Sequence, residues 1–146
     1  MTDPIPADFW QGVDQFNQGD FYACHDTLEA IWMEAPHYQK GFYQGVLQLA
    51  VALYHLSNHN WRGTVTLLGE GVHRLAAYPS DYAEIDVAQL MHQSAVLLRS
   101  LQELGPDEVE AIAQQVFHPV DLAQSLCPVI RRVEADESLL GSCSRV

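Results

Sequence analysis

Gly41-Phe42-Tyr43-Gln44-Gly45-Val46-Leu47-Gln48-Leu49-Ala50-Val51-Ala52-Leu53-Tyr54-His55-Leu56 is the stretch that decides the fold. No Asp, Glu, Lys or Arg occurs between Lys40 and Arg62, and the apolar residues fall all round a helical repeat. A helix without a charged face belongs in the middle of a bundle, where neighbours cover every side. Gln44, Gln48 and His55 interrupt the run, and it falls short of the roughly 18–20 apolar residues a membrane span needs. The reading is a buried central helix over about residues 39–57.

Working outward, each flanking segment carries helical spacing and a stop signal. Phe9, Trp10, Val13 and Phe16 form one stripe, ended by Gly19, a residue suited to a left-handed C-terminal turn. Asp20 caps a second helix whose stripe is Phe21, Cys24, Leu28, Ile31, Trp32 and Ala35, and Pro36 ends it. Downstream, Asn60 caps a fourth helix with Trp61, Val65, Leu68, Val72 and Leu75 at steps of four and three, closed by Pro79. Asp86 caps a fifth helix, running to Gly105-Pro106, and Asp107 opens a short sixth through about Phe117. The pattern weakens from His118, where Pro119 and Pro128 break it. This predicts an all-α protein: a single up-and-down helical bundle of about five to six helices in residues 1–130, with 131–146 as a mobile tail.

Composition narrows the function classes. Seven Lys and Arg against nineteen Asp and Glu leave a net charge of −12, which repels phosphate backbones and anionic lipid, so neither nucleic acid nor membrane is an expected partner. From Met1 to Trp61 the single Lys or Arg is Lys40. Cys24, Cys127 and Cys143 are odd in number and share no metal-like spacing, which argues for a reducing compartment. With an acidic, Pro-broken N-terminus that resembles no signal or transit peptide, the expected location is cytoplasmic.

The chemistry-bearing residues gather on two helices. His25 and Glu29 lie one turn apart, about 5–6 Å between Cβ atoms, at the edge of the second helix's apolar stripe, which also includes Tyr22 and Trp32. On the central helix Gln44, Gln48, Val51 and His55 share a narrow arc, flanked by Gly41, Gly45 and Ala52, which let a neighbouring helix come close. The economical partner for that arc is the second helix, which places a buried Glu29 beside His25 in an ion pair or short hydrogen bond. Burying such groups unpaired costs roughly 1–3 kcal/mol each, so they must satisfy one another or a ligand. Three readings stand side by side: a self-satisfied network that fixes helix register, a metal or small-ligand site, and a general acid–base pair. The metal reading takes His25, Glu29 and His55 as ligands for a divalent transition metal.

Other features carry less. Glu70 and His73 have the Glu-x-x-His spacing of di-iron bundles, but the second copy and further helix glutamates are missing, so they read as a solvated face. No Gly-rich phosphate loop, His-Glu-x-x-His or nucleophile elbow is present. Cys24 reads as a small core thiol, and His37, His59, His92 and His118 as water-facing.

The stretch Phe16-Asn17-Gln18-Gly19-Asp20-Phe21-Tyr22-Ala23-Cys24-His25-Asp26-Thr27-Leu28-Glu29-Ala30-Ile31-Trp32 resembles the signature of the domain of unknown function 309 family. A second block, residues 42–55, and a third, Asn60 to Leu68, continue the likeness across about residues 8–76. The resemblance implies a small cytosolic up-and-down bundle and brings no established activity. It carries over His25, Glu29, Trp32, Gln44, Gln48 and His55 as pattern residues. Cys24 stands where Ala is usual and Asp26 where Glu is usual; the shorter Asp26 projects away from the apolar stripe and makes a poor ligand. After about Tyr78 the likeness fades.

The functional expectation is a binding or interaction module around the His25–Glu29–Gln48–His55 site, taking a small ligand or metal. The runner-up is a small metal-dependent or acid–base enzyme using the same residues. A third reading is an assembly partner, with Phe9, Trp10 and Trp61 in an interface to another protein or a second copy.

Overall fold

In the computed structural model, which describes residues 5–133, six α-helices follow one another: α1 (Ala7–Asn17), α2 (Phe21–Glu34), α3 (His37–Ser57), α4 (Trp61–Leu75), α5 (Val87–Leu104) and α6 (Val109–Phe117). Three 3₁₀ turns punctuate the connections, and no β-strand occurs among the described residues. The starts follow local chemistry: Asp20, Asn60 and Asp86 each accept a backbone N–H three residues on, from Ala23, Gly63 and Gln89. The first stop is equally local, since Gly19 takes φ +83°, a conformation that side-chain-bearing residues resist.

Helices α1 to α5 pack side by side in chain order, with α3 held between α2 and α4, and α6 returns to touch α3. The uncharged α3 is accordingly the buried centre: Phe42, Val46, Leu49, Ala50, Ala52, Leu53 and Leu56 are fully buried. An aromatic cluster closes one end, with Phe42 touching the rings of Phe9, Tyr43, Tyr78 and Tyr82 at centroid distances of 4.8–5.9 Å. No helix among the described residues is long and apolar enough to cross a membrane.

Helices α3 and α4 approach closest at their glycines. A Cβ on Gly71 would stand 2.7 Å from Leu49 Cδ2 and 3.0 Å from the Gly45 carbonyl oxygen. Gly71→Ala should therefore destabilise, because overpacking costs about 1–3 kcal/mol against a helix-propensity gain of just under about 1 kcal/mol. A urea midpoint raised by the substitution would contradict this packing.

Among the described residues beyond α6 there is no further α-helix, yet the chain there is tied down. The Asn17 side chain donates to the Ile130 carbonyl at 2.9 Å and accepts from the Ile130 N–H at 2.8 Å, as a neighbouring strand would. Arg131 and Val133 complete the attachment: the Arg131 carbonyl accepts from Asp86 N–H, and Val133 N–H donates to the Glu84 carbonyl. Backbone pairing holds the chain through 133, and the rest of the expected tail, residues 134–146, lies outside the described residues.

Candidate functional site

Helix α2 sorts its side chains sharply. Phe21, Cys24, Leu28 and Ile31 point into the core, whereas Tyr22, Asp26, Glu29 and Met33 are exposed and His25 stands half-buried at the boundary. Glu29 is therefore not the buried partner that the stripe-edge reading expected. The four residues that bring it beside His25 leave a net rotation of about 40°, which carries it past the edge to the solvent side. His25 pairs instead with its sequence neighbour: Nδ1 lies 3.2 Å from Asp26 Oδ1, the side chains being 31% and 62% exposed. Asp26, read from the sequence as a poor ligand, belongs to the group. Backbone directions diverge at adjacent helix positions, but the imidazole is long enough to swing back over the shorter carboxylate. One ligand atom from each of His25, Asp26 and Glu29 lies within 4.8 Å of the other two.

The polar arc of α3 faces elsewhere. Gln48, buried, donates through Nε2 to Glu70 Oε1 at 2.9 Å and accepts from Arg74 Nε at 3.0 Å. Both ends of the amide are satisfied, and both partners sit on α4, not α2. Glu70 is solvent-exposed as expected, but it is also a structural acceptor. His55 turns toward the start of α4, with Nδ1 3.3 Å from Asn60 Nδ2, and is not one of the three clustered ligand residues. Gln44 is half-buried on the same helix. The self-satisfied network and the ligand-bearing group are thus two places, on opposite sides of α3.

Trp32 lies under Lys40, whose Nζ is 4.8 Å from the ring centroid and donates to the carbonyls of Trp32 and Met33. The only cation of the first three helices thereby caps the C-terminus of α2, where the helix dipole favours it. Of the three residues expected at an interface, Phe9 is fully buried in the core, while Trp61 and Trp10 are half-buried, the Trp61 indole donating to the Leu101 carbonyl and the Arg132 guanidinium lying 4.2 Å from the Trp10 ring centroid. Cys24 is the expected core thiol, its Sγ donating to the Gly12 carbonyl at 3.3 Å. His37, His59, His92 and His118 are exposed.

One feature had no sequence signal. An open groove of about 550 Å³ lies where the ends of α1, α2, α3 and α6 meet, with Tyr22 and Tyr54 among its lining residues. Tyr22 connects the groove to the ligand group, its ring 5.8 Å from that of Tyr54 and 6.3 Å from that of His25. The lining comes from four segments distant in sequence, so no local pattern announces it.

Residues 9–67 match the family described as Domain of unknown function (DUF309). The matched segment contains α2 and α3 whole, together with His25, Asp26, Glu29, Gln48 and His55. The chain is also 27% identical over 127 residues to the "Uncharacterized protein YpuF" of Bacillus subtilis (strain 168), an alignment covering 85% of this chain and 62% of that protein. The chain therefore spans less than two thirds of that relative's length. No solved structure matches.

Proposed function

We propose that this chain is a binding module that takes a divalent metal ion on the outward face of α2, through His25, Asp26 and Glu29. The observation that carries the reading is the clustering of one imidazole and two carboxylates within 4.8 Å. A mixed nitrogen and oxygen set suits borderline cations such as Zn²⁺, Mn²⁺ and Ni²⁺. Bonds of about 2.0–2.2 Å require the three side chains to draw together, and their exposure leaves them free to rotate. Two carboxylates against one dication also leave the occupied site without excess charge.

Calorimetric titration of chelator-treated protein with Zn²⁺, Mn²⁺ and Ni²⁺ tests this, alongside a His25→Ala, Glu29→Gln double variant. Saturable one-to-one binding in the parent and its loss in the variant are expected, with the helical circular dichroism of the two unchanged because neither residue is in the core. Equal, weak binding to both proteins would end the metal reading.

A further inference from the structure

The groove beside the ligand group has an electrostatic character of its own. Gln18 follows the last residue of α1, Ser57 ends α3, and Phe117 and His118 mark the end of α6, and all four line it. Three helix C-termini therefore converge on one space, each carrying a partial charge of about −0.5. Such ends ordinarily attract basic side chains, but the last turns of α1, α3 and α6 hold no Lys or Arg, and the one histidine there, His55 of α3, is turned to Asn60. The only opposing terminus is the start of α2, and Asp20, also in the lining, sets a full negative charge against it. The Asp20 carboxylate accepts from Ala23 N–H at a long 3.4 Å, which leaves lone pairs to spare.

The walls suit the same kind of guest. Tyr22 is 63% and Tyr54 40% exposed, an unusual place to leave two rings in contact, and the Phe21–Phe117 pair lies in the same lining. Aromatic faces attract cations through the ring quadrupole. Among the described residues no Lys or Arg lines the groove, and the nearest one along α3, Lys40, is 14 residues before Tyr54, about 21 Å at 1.5 Å per residue. His59 and His118 are the lining groups that can become positive, and His59 Nδ1 is 3.7 Å from Glu110 Oε2. Acidic helix ends, a carboxylate, an aromatic wall and a net charge of −12 all favour one sign of ligand.

We propose that the groove between the ends of α1, α2, α3 and α6 binds an organic cation, an alkylammonium or guanidinium head group, with Tyr22 and Tyr54 as its aromatic wall and Asp20 as its counter-charge. This site is separate from the proposed metal site and needs no metal. The test is an NMR titration of the full chain in chelator-containing buffer, with spermidine in one arm and N-acetyl-arginine amide in the other. The expected result is movement of the Tyr22 and Tyr54 ring signals, with upfield ring-current shifts on the probe methylenes. Response to spermidine points to a free polyamine as the source, and response to the capped arginine points to a polypeptide side chain. Tyr22→Ala, at an exposed position, should weaken binding by about fivefold to thirtyfold. Asp20→Asn should weaken it similarly while keeping a capping side chain on α2. Shifts spread over the acidic surface and unchanged by Tyr22→Ala would overturn the proposal, as would no ring shift with either probe.

Discussion

Replacing Phe42 by Ala is expected to remove about 3–5 kcal/mol of stability, the cost of deleting a fully buried aromatic side chain. Phe42 has no exposed surface and stands at the centre of the ring cluster, in contact with Phe9, Tyr43, Tyr78 and Tyr82. These partners come from α1, α3 and the turn beyond α4, so the space left cannot close by moving one helix. Favourable ring-pair geometry adds about 0.5–1.5 kcal/mol per pair beyond simple burial. A domain of ordinary stability, about 5–15 kcal/mol, would lose a large fraction of it. Thermal unfolding should fall by on the order of 10 °C, and a shift of only a degree or two would mean that the cluster is not the packed centre described.

The Cys24 thiol should be nearly inert in the folded protein. Burial, with a smaller contribution from the Asp20 carboxylate, pushes its pKa up from the ordinary 9.0 to about 12. Each unit corresponds to about 1.36 kcal/mol, or a tenfold change in thiolate at a given pH, so about a thousandfold less thiolate is present near pH 8 than in a free cysteine. In a Cys127→Ser, Cys143→Ser background, alkylation by iodoacetamide should proceed mainly through transient opening and accelerate sharply in denaturant. Native-state labelling within tenfold of free cysteine would refute the burial. The linkage has a definite sign. The folded state holds this proton more tightly than the unfolded one, so the thiol's contribution is intact below pH 9 and is lost as pH rises from about 9 toward 12.

The fold was legible because its signals are local. Asp20, Asn60 and Asp86 name helix starts by their own side chains, Gly19 names a stop, and the uncharged run of α3 names the centre. The polar site was only half legible, for a geometric reason. A helical repeat gives the direction of a face but not which neighbour lies there, and α3 has neighbours on both sides. Gln48 reaches α4, and the nearby glycines agree: a Cβ on Gly41 or Gly45 would meet Tyr78 or Leu75, not α2. Glu29 shows the complementary difficulty, since a position at the edge of a stripe is sent outward or inward by a few degrees of helix rotation that sequence does not encode. Asp26 was set aside because its short side chain projects away from the apolar stripe, yet the His25 imidazole reaches out to it.

The double hydrogen bond between Asn17 and Ile130 joins positions 113 residues apart, whereas most helix packing here is between neighbours in the chain. Neighbouring helices can zip together as they form, because closing short loops sacrifices little chain freedom. The Asn17 clasp must wait until residue 130 has been made. During synthesis the first helix therefore emerges long before the amide at its end can find its backbone partner, and assembly finishes where it began.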